Sequence, residues 1–339
     1  MNTRYIVKVD KLSAEVLENL KNNSRIVHIF SLIDNTIALE TDNVERIKEL
    51  KGVKRVYESG KAKLMLRDAL NIIDILDVHN RGFYGDGVWI GVIDSGIDIS
   101  DPLVSGSIVL ERDFTEEGLY DPIGHGTIMA RILKVVAPNI SLINAKVVDR
   151  TGEADEVDIM RAIEWCVNSG ADIMNISLGI PRTCDGSCPL CELVDIASER
   201  AIIVAAVGNN GPEEDSLSCP ANSKSCIAVG SMEKDGTVSD YSSRGSPELV
   251  PGINSGVLVK PDIIAPGCIS YGDFKLEGTS IATPFVSASA ALLLSVDDSD
   301  KRRVIDAILG TAEDKGFPKW VQGHGLIRTD KALEGMLCD

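Results

Sequence analysis

From about residue 85 onward, short apolar runs alternate with stretches whose apolar residues recur at helical spacing. Val88–Ile93, Leu142–Val148, Ile173–Ser177, Ile202–Val207 and Ile227–Val229 read as strands. They are rich in apolar and β-branched residues, as strands covered on both faces are. Gly126–Val136, Val157–Ser169 and Leu193–Arg200 read as helices between them, and Phe285–Ser295 as a later helix of small residues. Strands and helices in turn predict an α/β fold, a parallel sheet flanked by helices on both faces.

The first part of the chain has a different rhythm. Arg4–Val9 alternates like a half-buried strand. Ala14–Asn22 carries Val16, Leu17 and Leu20 at helical spacing, with Ser13 as its N-cap. Val16 stands where a capping box would need Glu or Gln. Ile26–Phe30, Thr36–Leu39 and Val53–Tyr57 read as strands, and Val44–Leu50 as a second helix ending near Gly52. Gly60–Met65 is small and basic, a linker. The expected organisation is therefore a small α+β unit over residues 1–65 and a larger α/β domain over 66–339.

Composition agrees with two domains: 339 residues, 44% hydrophobic and 25% charged, enough to bury a sizeable core. No apolar run approaches the roughly 18 residues of a membrane helix. The opening residues MNTRYIVKVD lack the apolar stretch of a secretory leader. The chain as it stands is thus expected in the cytoplasm, or outside the cell if a leader has been removed. The net charge of −17 argues against nucleic acid and anionic membranes as partners. It is unevenly spread, +3 over residues 1–65 and −20 over 66–339, as in two parts that attract each other.

Three stretches carry candidate chemistry. The strand Val88–Ile93 ends in Asp94-Ser95-Gly96, a helix opens at Gly124-His125-Gly126-Thr127, and Gly278-Thr279-Ser280-Ile281-Ala282-Thr283-Pro284 precedes the small-residue helix. In a parallel sheet, strand carboxyl ends and the adjacent helix starts line the crevice. An Asp there can orient a His, and the His can deprotonate a Ser at a helix start. Taken singly, Asp-Ser-Gly is a turn and Ser280 a helix-start residue. Together, at three strand-to-helix junctions, they point to nucleophilic catalysis.

These motifs resemble the subtilisin-like serine proteases, the subtilases, whose triad also runs Asp, His, Ser. Val92–Asp98, Gly124–Thr127 and Gly278–Pro284 are similar to the family's signature blocks, as are Asn175–Gly179, Ala205–Gly211, Ile227–Ser231, Lys260–Gly267 and Gly323–Ile327. The resemblance implies a serine endopeptidase that needs no cofactor for its chemistry. Ser280 would be the nucleophile, His125 the general base and then acid, Asp94 its orienting residue and Asn209 the oxyanion donor. Ser177, Leu178 and Gly179 would pair with extended substrate, with Gly152, Glu153 and Ala154 on the other side. Ala205, Ala206, Gly208 and Ser218 would line the specificity pocket. Tyr5–Val7, Thr36–Leu39 and Val44–Glu58 resemble the family's prodomain, which implies an intramolecular inhibitor cleaved from the protease near Met65–Leu66. The partners implied are protein or peptide substrates and this prodomain.

Some features depart from the familiar pattern. Residues 130–138 run straight on where well-known members insert a loop around a tight calcium ion, so that site is not carried over. The many carboxylates could still hold a structural calcium elsewhere. Eight Cys include Cys184-x₃-Cys188-x₂-Cys191 after the substrate-binding stretch, with Cys219 and Cys226 near the pocket. Zinc and iron–sulfur readings compete there with disulfides bracing a loop. The lack of a nearby His cluster favours disulfides, so no metal is assigned. Disulfides fit an oxidising compartment or a hyperthermophile's cytosol, and the single Gln322 leans toward a thermophile. The acidic run Glu153, Asp155, Glu156 and Asp158 reads as a helix start, or else as selection for basic substrate residues. Two narrower functions stand beside a general protease: a processing protease for one partner protein, and a non-catalytic binding module on the same scaffold.

Overall fold

The computed structural model describes residues 3–59, 67–182, 184–247, 259–271, 274–296 and 300–338. The chain divides into two units, Met1–Leu64 and Met65–Asp339. The linker Gly60–Met65 and the expected cleavage point Met65–Leu66 lie outside the described residues.

The first unit is built from β1 (Thr3–Val9), α1 (Ala14–Asn23), β2 (Arg25–Ile29), β3 (Thr36–Thr41), α2 (Val44–Lys48) and β4 (Val53–Glu58). Its strands form an antiparallel sheet in the order β2-β3-β1-β4. Val7 and Val9 of β1 point inward onto Ile37, Leu39, Leu20 and Ile47, which is why β1 alternates in sequence. Ser13 caps α1 by accepting the Val16 amide at 3.3 Å.

The second unit opens with α3 (Arg67–Ile72) and α4 (Ile75–Asn80), followed by β5 (Trp89–Asp94), β6 (Ile108–Asp113), α5 (His125–Val136), β7 (Ser141–Lys146) and α6 (Glu156–Asn168). It continues with β8 (Ile173–Ile176), β9 (Ile180–Pro181), α7 (Pro189–Ala197), β10 (Ile202–Ala206), β11 (Ser218–Cys219) and β12 (Ile227–Met232). Then come β13 (Ile263–Pro266), β14 (Cys268–Tyr271), β15 (Phe274–Glu277), α8 (Thr279–Leu294), α9 (Lys301–Gly310), α10 (Lys319–Gln322) and α11 (Thr329–Cys338).

Seven of these strands form one parallel sheet in the order β13-β12-β10-β8-β5-β7-β6. After β7 the chain crosses β5 to continue with β8 on the other side, so the order reverses at the β5–β8 boundary. A crevice forms at the carboxyl ends of strands at such a switch. Asp94 ends β5, and Ser177 follows β8.

Two apolar cores cover the two faces. Ile90 and Val92 face the core that holds α5, α8, α9 and α11, whereas Ile93, Met174 and Ile176 face the one that holds α6 and α7. The long helix α8 is buried on all sides, and its alanines and serines let neighbours approach closely. It starts six residues before the expected Phe285, so Pro284 lies inside it. The helix expected over Leu193–Arg200 runs instead from Pro189, because Pro at the first helical position is pre-set for the turn.

Candidate active site

The acid–base side forms where β5 ends and α5 begins. Asp94 is 1% exposed, and its Oδ1 lies 2.7 Å from His125 Nδ1. The Ser95 amide donates to the same oxygen at 2.7 Å, which fixes the carboxylate plane. Gly126 is demanded by this closeness: a Cβ there would stand 2.2 Å from the Gly96 carbonyl oxygen and 3.2 Å from Asp94 Oδ1. The negative charge of Asp94 raises the His125 pKa; burial opposes this, and the Asp94 hydrogen bond and Asp121 reinforce the rise.

Asp121 supports this arrangement and is not disclosed by the motifs. Its Oδ1 accepts the Gly124 amide and the Ser95 hydroxyl, each at 2.8 Å. Its Oδ2 accepts the Thr127 amide at 3.0 Å and the Thr127 hydroxyl at 2.6 Å. Ser95 Oγ in turn accepts the Gly126 amide at 2.9 Å. The start of α5, and with it the His125 backbone, is held by this one carboxylate and one hydroxyl. Burial pushes the Asp121 pKa up, but the Thr127, Gly124 and Ser95 hydrogen bonds outweigh it and leave the pKa lowered.

The nucleophile side forms at the start of α8. Asn209 Oδ1 accepts both the Thr279 amide at 2.9 Å and its hydroxyl at 3.0 Å. These two donors fix the side chain with its oxygen toward the helix, so its NH₂ faces the cleft. A Cβ on Gly278 would lie 3.0 Å from Ser280 Oγ, 3.5 Å from Asn209 Nδ2 and 3.7 Å from Ser280 N. A side chain at 278 would therefore crowd the Ser280 hydroxyl and the Asn209 amide, which glycine leaves clear of each other. Pro284 has no N–H to give the Ser280 carbonyl four residues back. The Ser177 hydroxyl donates to that carbonyl instead, at 3.1 Å. Asn175 donates to Ser177 Oγ at 2.9 Å and accepts from Ser287 Oγ at 2.9 Å, tying β8 to α8.

His125, Asn209 and Ser280 line one cavity of about 310 Å³, together with Ser177, Leu178, Gly179, Ala206, Gly208 and Ser218. Pro181, Asn210 and Thr279 join them without having been expected. Ala205 is fully buried in the core beneath the cavity. Gly152, Glu153 and Ala154 belong to a turn after β7, held by the Glu153 amide on Asp149 Oδ1 at 3.1 Å, and they are not among the lining residues. In the acidic run, Asp155 caps α6, Glu156 pairs with Arg182 and Asp158 with Arg161. Only Glu153 of the four has neither cap nor ion pair among the described residues. All eight cysteines are free thiols, and Cys184, Cys188, Cys191 and Cys219 gather next to Ser218.

A hydroxyl at a helix start, a carboxylate-bound imidazole and a side-chain amide, all at the carboxyl end of a parallel sheet, are the components that a serine hydrolase cleft requires. The subtilase family profile matches residues 85–326. Subtilisin E of Bacillus subtilis (strain 168) is 34% identical over 279 residues, covering 76% of this chain and 68% of its own length. A thermostable alkaline protease of Halalkalibacterium halodurans is 28% identical over 349 residues, covering 97% of this chain and 91% of its own. A solved structure described as a lanthipeptide protease superposes with a TM-score of 0.67 at 23% identity, over 80% of this chain and 94% of that one, and so shares the fold. The chain belongs to the subtilase family. It is a serine endopeptidase acting on protein or peptide substrates, and catalysis in this family needs no cofactor.

Proposed function

We propose that Ser280, His125, Asp94 and Asn209 carry out peptide hydrolysis and that residues 1–65 are a self-cleaved inhibitory prodomain. Ser280 Oγ attacks the scissile carbonyl carbon while His125 Nε2 takes its proton. Asp94 holds Nδ1 and stabilises the imidazolium. The carbonyl oxygen, now an anion, is met by Asn209 Nδ2 and the Ser280 amide. His125 then protonates the leaving amine, the C–N bond breaks and an acyl ester remains on Ser280. Water, deprotonated by His125, attacks that ester; the bond to Ser280 Oγ breaks, Oγ takes the proton back from His125 and the acid leaves. The observation that carries this reading is that His125, held by Asp94, lines one cavity with Ser280 and Asn209.

The prodomain part draws on two facts. The match to the Halalkalibacterium protease extends over 97% of this chain and therefore takes in most of the first unit. The charges of the two units are opposite in sign, which favours association that weakens with salt. A fluorophosphonate probe should label the chain at Ser280, and the Ser280→Ala chain should stay unlabelled and in one piece while the unmutated chain yields two fragments. A fully active, uncleaved single band would sink the prodomain assignment and leave the triad standing. Absence of labelling on a folded chain would leave the non-catalytic binding module as the reading.

A further inference from the structure

The cleft chemistry uses none of the cysteines, yet four of them are brought together from two separate segments. The Sγ atoms of Cys184, Cys188, Cys191 and Cys219 all lie within 4.8 Å of one another. Cys184 sits in the turn before α7, Cys188 is the N-cap of α7 and Cys191 lies in its first turn. Cys219 arrives on β11, which pairs antiparallel with β9 through Cys219↔Ile180. We propose that these four thiols bind one zinc ion as a tetrathiolate centre that fastens α7 and β11 to the wall of the cleft.

The geometry separates this from the alternatives. Zinc–sulfur bonds of about 2.3 Å at tetrahedral angles set sulfurs about 3.8 Å apart, and Cys188 and Cys219 stand 3.7 Å apart. Two disulfides need only two close pairs, whereas here every sulfur is close to every other. A four-iron cluster interposes its own irons and sulfides and holds its cysteines farther apart than this set. Four soft thiolates and no carboxylate or imidazole in the set suit zinc rather than a harder divalent ion.

The surroundings suit a doubly negative centre. The Gly186 amide donates to Cys184 Sγ at 3.3 Å, and Asn222 Nδ2 to Cys219 Sγ at 3.7 Å. Gly186 has φ of +87°, and a Cβ there would meet the Asn222 carbonyl at 2.6 Å, so the turn that presents Cys184 and Cys188 is packed against the Cys219 segment. The positive end of α7 begins at Cys188. Arg182, anchored by Glu156, puts a cation two residues before Cys184. Cys191 and Cys219 are buried in the apolar core, while the partly exposed Cys184 and Cys188 leave a way in for the ion. On binding, each thiol gives up its proton to solvent and forms one zinc–sulfur bond.

The test uses the full chain isolated with reductant, and its readouts are independent of protease activity. Elemental analysis should find about one zinc per chain, kept in Cys166→Ser and Cys226→Ser and lost in Cys191→Ser and Cys219→Ser. Cobalt(II) added to the zinc-stripped, unmutated chain should saturate at about one equivalent, with the visible bands and sulfur charge transfer of a tetrahedral thiolate site. This arm stands even if the serine variants fail to fold. The proposal is overturned by full zinc retention in Cys219→Ser, by iron with acid-labile sulfide, by cobalt spectra lacking thiolate bands, or by a metal-free chain whose four thiols are paired as disulfides.

Discussion

Two helices aim their amino ends at the cleft, and the two ends are finished in opposite ways. At the start of α5 the Gly124, Gly126 and Thr127 amides are all consumed, by Asp121 and Ser95. At the start of α8 the Thr279 amide goes to Asn209, and the Ser280 amide has no acceptor among the described residues. Both ends carry the same partial positive charge. A permanent carboxylate neutralises the first, so it only holds His125 in place. The second stays open, as its proposed part in receiving a charge that exists only while a bond is being made requires. Whether a helix start holds or reacts is decided here by whether the neighbouring loop brings its own anion.

Substitutions that change the finish of each end test this contrast. The largest effect is expected from Asp94→Asn, which keeps the shape but loses the charge that orients His125. Turnover should fall by about 10⁴, the scale seen when a triad aspartate is replaced in this way. The pH profile should change with it. A protonated imidazole cannot accept the Ser280 proton, so kcat/KM should fall as pH drops through the His125 pKa, above 6.5 in the unmutated chain. In Asp94→Asn that acid limb should move to lower pH; an unmoved limb would show that Asp94 does not set it.

Asn209→Ala comes next. It removes one donor from the open end and should lower kcat by roughly 10²–10³, the range measured for the corresponding donor of subtilisin. KM should change little, since the donor acts on the transition state. An effect confined to KM would mean that Asn209 binds substrate and does not stabilise the oxyanion. Asp121→Asn should do least to the chemistry. It puts an NH₂ among donors at the closed end, and a urea titration should show a loss of about 1 kcal/mol. The lowered Asp121 pKa stabilises the fold only while the carboxylate is ionised. The gap between the two proteins should therefore close as pH falls below the usual aspartate range, and a gap that persists in acid would argue against the charge.

The parts that were legible in sequence were those whose physics is local. β5, β7, β8, β10 and β12 are sandwiched between helices and so are rich in apolar residues. β6 escaped notice because it is an edge strand with Glu111, Arg112 and Asp113 in its second half. β13, only Ile263–Pro266, is too short to show a period. The residues lining the cavity stand in compact motifs, since each sits at a strand end or helix start where few residue types fit. Asp121 stands in an aperiodic loop, where no periodicity or motif marks it. The spacing of Cys184, Cys188 and Cys191 was visible, but Cys219 joins them only through the pairing of β9 with β11, a contact that no local pattern encodes.

The hydroxyl of Ser177 has a further consequence for how this scaffold can vary. It gives the edge proposed to receive the peptide and the hydroxyl proposed to attack it a common anchor, through the carbonyl that Pro284 leaves free. Loops beyond Gly179 can then be lengthened, shortened or exchanged, changing which peptides are accepted, while the line of attack stays where it was. An engineer who wants a new substrate preference should rebuild outward from residue 180 and leave that anchor alone.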